Sequence, residues 1–208
     1  VVKIIGRAKS ILEQERGLVV KDRIFLNGYS SSGVFAQRFA LLHPDIVETA
    51  CIGGASGSIP IPTEKFAYPL GVADYESLTG KRFDLESYSK IKFRYYVGEL
   101  ETQNKSDSRF DDFGQPAPMH DMSYFDRSVP TEVGKYQRSV LGTEMFSRAQ
   151  KTIQILQSLG IDVQHKIILG RGHNNRNGIG VNELGDKFVN DTYKSTIKSR
   201  EINYGVSR

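Results

Sequence analysis

NGYSSSGVFAQRF, residues 27–39, sets three consecutive serines between two glycines, with the strand-like RIFLN (23–27) before them and helix-like sequence after. A sharp strand-to-helix turn that presents a nucleophilic serine needs small residues two before and two after it, because strand and helix close tightly on those positions. Gly28, Ser30 and Ser32 occupy the three places, with Ser32 where glycine is usual and Gly33 following it. Such a turn lifts the Ser30 hydroxyl clear of the sheet edge. It also aims the Ser31 amide, at a helix N-terminus, toward a developing oxyanion. The competing reading is that one of the three serines simply caps the helix.

Outward from this turn the pattern is α/β. Ile4, Ile5, Ala8, Ile11 and Leu12 form the stripe of a surface helix over residues 1–17, ended by Gly17. Val34, Phe35, Phe39, Leu41 and Leu42 predict a helix over 34–43 that stops before Pro44. Residues 49–53 read as a second strand, KFRYYVG (92–98) as a third and DVQHKIIL (162–169) as a fourth; helices are expected over 143–160 and 178–200, the last fraying toward its polar tail. Strands alternating with helices predict parallel βαβ units: a three-layer sheet with helices on both faces. The stretches of about 55–90 and 102–141 are irregular and too long for ordinary connections, so both are expected to be insertions over a site. Phe110, Phe113, Tyr124 and Phe125 of the second are candidates to line a pocket or to anchor the loop.

A serine nucleophile needs a base, which in such a domain sits on the loop after the last strand. There the chain reads LGRGHNN, with His173 directly after the flexible glycines 170 and 172. His43 ends a helix, His120 lies in the second insertion and His165 falls inside a strand pattern, all poorer settings for a positioned base. An orienting carboxylate is expected between nucleophile and histidine in chain order. VGELETQNKSD (97–107) offers Glu101 as first choice and Asp107 as the alternative, with Glu99 facing solvent.

Composition narrows the rest. The chain of 208 residues, 38% hydrophobic and 25% charged, suits one domain rather than two. Its formal charge of +4 is spread over 28 basic and 24 acidic residues without a basic block, which argues against a nucleic-acid partner. The lone Cys51, in the apolar run VETACIGG, excludes an internal disulfide and a multi-cysteine metal site, and reads as a buried small hydrophobe. No cofactor or metal is expected. No apolar run of about eighteen residues occurs, so no membrane span is expected. The absence of a visible signal peptide favours a cytoplasmic location, with secretion left open because the chain starts at Val1.

RIFLNGYSSSGVFAQRFALLHPDIVETACIGGASG (23–57), the YVGELE strand end and GRGH resemble the C-terminal half of an α/β-hydrolase, and more narrowly bacterial esterases related to polyhydroxybutyrate depolymerases and feruloyl esterases. FAYPLGVADYESLTGKRFDLESYSKI (66–91) is similar to that group's insertion. The resemblance covers nearly the whole chain in order, although only the serine turn and the histidine loop are specific. It implies Ser30 as nucleophile, His173 as base, an acid after the third strand and a small-molecule ester as substrate; Glu101 departs from the group's usual Asp.

The resemblance also implies that the first four strands of the fold, and the loop donating a second oxyanion amide, lie upstream of Val1. Two expectations follow. Strand 23–27 has an open edge that a second copy of this chain or an upstream fragment would cover. Ester turnover by the 208 residues alone should be weak or absent, since losing one oxyanion donor costs about a hundredfold to a thousandfold. The reading from another class is a non-catalytic binding protein that keeps the hydrolase fold.

Overall fold

The computed structural model describes residues 1–55, 60–99, 101, 139–141, 145–173 and 181–204. Helix α1 (Val2–Arg16) leads to strand β1 (Ile24–Tyr29), helix α2 (Ser31–Leu42) and strand β2 (Val47–Gly53). Two short helices, α3 (Tyr75–Thr79) and α4 (Leu85–Ser89), precede strand β3 (Lys92–Gly98). Helix α5 (Met145–Ser158), strand β4 (Val163–Ile168) and helix α6 (Val181–Tyr204) follow. The four strands pair in parallel in the order β1-β2-β3-β4, so each junction is a crossover, as the alternating pattern predicted.

The strands divide their side chains between two apolar layers. Leu26, Ala50, Ile52, Phe93 and Tyr95 belong to one layer with Ala36, Phe39 and Ala40 of α2 and Ile153 and Leu156 of α5. Phe25, Tyr29, Cys51, Tyr96 and Ile168 belong to the other with Phe188 and Val189 of α6. Alternation along β2 and β3 therefore buries both of their faces, while β4 leaves Gln164, His165 and Lys166 exposed. Arg94 of β3 makes a bidentate pair with Asp162, at 2.9 and 3.0 Å.

Several boundaries differ from the sequence expectation. Strand β1 runs on to Tyr29 and α2 starts at Ser31, so the expected turn of 28–33 shrinks to Ser30 alone. Strand β2 starts at Val47, two residues early, and α6 continues to Tyr204 because nothing after Gly185 breaks it. The α1 stripe is shallow: Ile5 and Ile11 are half-buried, while Ile4 is 72% exposed. Gly17 ends α1 as expected, at φ 63°, its amide returning to Glu13 O. Within the first insertion, residues 60–90 are more ordered than an irregular excursion, holding α3 and α4. Five-residue helices are too short to register as periodicity; here Asp84 caps α4 through Ser87 N, and the Tyr75 hydroxyl of α3 ties back to Leu42 O at 2.8 Å. The second insertion falls almost wholly outside the described residues. Among the described residues no helix is long and apolar enough to cross a membrane.

Candidate active site

The carboxyl ends of β1, β3 and β4 lie along one edge of the sheet, each followed by a residue singled out from the sequence: Ser30, Glu101 and His173. Ser30 is the lone residue between β1 and α2, held at φ 56°, ψ −122°. It is the one non-glycine residue with positive φ among those described, a conformation costing on the order of 1–3 kcal/mol and persisting only where surroundings enforce it. The enforcement is visible. A Cβ on Gly28 would stand 2.2 Å from Ser32 O, and one on Gly33 would stand 2.6 Å from the Ala55 Cβ, so strand and helix meet at a distance only glycine allows. Ser30 N–H donates to Gly53 O at 2.9 Å, and Ser30 O accepts from Val34 N at 3.0 Å as the first turn of α2 begins.

Ser32 departs from glycine without penalty because its side chain points outward and is used. Its hydroxyl accepts from Tyr29 N at 2.9 Å and donates to Tyr29 O at 2.7 Å, bridging the turn from the helix side. Ser30, the N-cap residue by position, makes no side-chain cap bond. Its Oγ instead lies 2.9 Å from His173 Nε2, which separates the two readings of the serine run.

His173 Nδ1 lies 3.0 Å from Glu101 Oε2, completing a chain of three side chains. Glu101 is 2% exposed, and a carboxylate buried this deeply needs hydrogen bonds to both oxygens. Oε2 takes the imidazole and Oε1 accepts Gly98 N–H at 3.0 Å. Its backbone is fixed as well, with Glu101 N on Gly98 O and Phe146 N on Glu101 O, both at 3.1 Å. In the tautomer these contacts select, Nδ1–H donates to Glu101 and Nε2 accepts from the Ser30 hydroxyl.

The loop after β4 carries its own supports. Gly170 adopts φ 66°, the left-handed conformation that turns the chain back over the sheet edge. Gly170 N–H donates to Glu99 Oε2 at 2.8 Å, and Glu99 N–H to Ile168 O at 3.0 Å. Glu99 is exposed, as expected, yet its carboxylate fastens the histidine loop to the end of β3, a role the sequence reading missed. A second missed residue is Tyr29, whose ring stacks on that of His173 with centroids 5.2 Å apart.

Ser31 is the first residue of α2, so its amide has no acceptor one turn back and stands beside Ser30 at the positive end of the helix. Asp107, the alternative acid, His120 and the aromatic residues of the second insertion lie outside the described residues. His165 is exposed on β4, and His43 ends α2 against Phe39, both away from this edge. Among the described residues no group of three or more His, Cys, Asp or Glu side chains has the spacing to hold a metal ion.

No protein-family model matches the chain, and no curated protein matches it. Among solved structures it is similar to the siderophore hydrolase EstA from Aspergillus nidulans, at 14% identity and a TM-score of 0.46, over 88% of this chain and 53% of that one. Siderophore hydrolase EstB from the same organism aligns at 16% identity and 0.38, over 88% and 55%. An α/β-hydrolase from Vibrio vulnificus aligns at 12% identity and 0.36, over 91% and 52%. The chain thus spans about half the length of the solved structures it matches.

Proposed function

We propose that the chain carries a serine hydrolase site for carboxylic esters, with Ser30 as nucleophile, His173 as general base and acid, Glu101 as the orienting carboxylate and Ser31 N–H as an oxyanion donor. The observation behind this reading is the unbroken series from Ser30 Oγ to His173 Nε2 at 2.9 Å and from Nδ1 to the buried Glu101 at 3.0 Å, mounted on a serine with φ 56°. A serine that merely capped a helix would turn its hydroxyl to the amides of α2.

The chemistry follows from the roles. Ser30 Oγ attacks the ester carbonyl carbon as its proton passes to His173 Nε2, and the carbonyl electron pair moves onto oxygen, facing Ser31 N–H. Collapse of the tetrahedral species breaks the bond to the alkoxy group, which takes the proton from Nε2 and leaves as the alcohol. The acyl group stays on Ser30. Water then attacks that carbonyl while giving a proton to Nε2, and a second collapse releases the carboxylic acid and returns the proton to Ser30. Glu101 keeps Nδ1 protonated throughout, so Nε2 is the nitrogen that alternates.

A fluorophosphonate probe tests the assignment without requiring a particular substrate. The folded chain is expected to take one label, located on Ser30 by mass spectrometry, with Ser30→Ala unlabelled and His173→Ala slowed by at least about a hundredfold. Absence of label on a folded chain, or labelling indifferent to His173→Ala, overturns the reading.

A further inference from the structure

Resting on that reading of the site, we propose that Tyr29 is the positioning residue that locks the His173 loop onto the nucleophile's own strand, so that base and nucleophile are registered by a direct link as well as through Glu101. His173 sits among glycines on a loop whose freedom must be removed if Nε2 is to stay within reach of Ser30. Glu101 and Glu99 anchor that loop to β3. Among the described residues, Tyr29 ties it to β1, one residue before Ser30.

The link has three parts. The Tyr29 hydroxyl donates to His173 O at 2.5 Å. Its ring lies nearly parallel to the imidazole, with centroids 5.2 Å apart and planes 18° apart. Its backbone is gripped from α2 by Ser32 Oγ on both N–H and C=O. Movement of His173 away from Ser30 must therefore break a part-buried hydrogen bond to a residue whose backbone is held by α2.

The surroundings are shaped for this stack. The Tyr29 ring also stacks with Tyr96, centroids 6.0 Å apart and again 18° from parallel. Tyr96 fills a slot that only glycines leave open, since a Cβ on Gly53 or Gly185 would stand 2.0 or 2.1 Å from its ring. A Cβ on Gly54 would stand 2.9 Å from Tyr29 and 3.0 Å from His173. Three glycines thus clear the space for Tyr96, which is buried, and for Tyr29, which stacks with both Tyr96 and the imidazole.

Tyr29→Phe removes the hydroxyl and keeps the ring, so it separates positioning from packing. With the fluorophosphonate probe, the expected result is a maximal labelling rate about tenfold lower, an unchanged half-saturating probe concentration and an unchanged melting temperature. Hydrogen exchange in the peptide spanning residues 169–173 should quicken. Tyr29→Leu, lacking hydroxyl and stack, should fall further. A Tyr29→Phe variant that labels at the wild-type rate overturns the proposal. If the wild-type chain itself does not label, the hydrolase reading fails, and exchange at 169–173 alone decides the link: faster in Tyr29→Phe supports it, unchanged overturns it.

Discussion

Glu101 shows how a single side chain can be placed by hydrogen bonds within its own turn. The turn from Gly98 to Glu101 closes through two hydrogen bonds, one of them to the carboxylate itself, and this fixes which oxygen is left for His173. Glu101→Gln keeps the shape and one acceptor but turns an amide N–H₂ toward Nδ1. The imidazole then favours the tautomer with its proton on Nε2, where it cannot receive one from Ser30. Fluorophosphonate labelling of this variant is expected to slow by roughly 10³–10⁴-fold, with the fold intact by circular dichroism. A rate within threefold of wild type would remove Glu101 from the mechanism and reopen the choice of Asp107. At this scale the sequence was most legible where one residue carries its own context. Ser30 has its glycines and His173 the glycines before it, and the two side chains picked out this way stand 2.9 Å apart in the fold. The contacts of Tyr29 and Glu99 join residues 144 and 71 apart in the chain, and no local pattern announces them.

At the scale of elements, β2 is the central plank beneath the site, and Cys51 reports on its integrity. The thiol is fully buried among Tyr96, Ile168 and Val189, and burial pushes its pKa up to about 12, against smaller lowering effects from Arg94 and Thr192. The thiolate is the reactive form, so almost none exists at pH 8. Native protein is expected to be inert to a disulfide-exchange reagent such as DTNB at that pH, and to release one equivalent per chain once denatured; rapid reaction of the native state would mean that β2 and α6 separate readily. The strands and long helices were legible because buried sheets and amphipathic helices impose periods on the sequence. Helices α3 and α4 were not, since five residues complete barely one turn. The depth of α1 was also hidden, because an apolar stripe shows which face turns inward and not how much protein waits there.

For the whole molecule, pH couples to folding through groups whose charge the fold disfavours, and His43 is the clearest case. Burial lowers its pKa below the ordinary value near 6.5; the Asp45 carboxylate opposes that, while Lys81 and the N-terminal amine reinforce it. Its ring leans on Phe39 at 4.8 Å, at the end of α2, so the neutral form is the one that packs. Below its unfolded pKa the unfolded chain therefore binds more protons here than the folded one, and stability falls with falling pH. The contribution is complete above about pH 6.5, shrinks as pH drops toward the lowered folded value, and changes no further below it. Melting temperatures followed from pH 7.5 down to 5 should decline more steeply for the wild type than for His43→Gln, which retains a polar side chain but cannot titrate. Parallel curves across that window would show that protonation of His43 is accommodated without strain, and would shift the acid sensitivity of the fold to other groups.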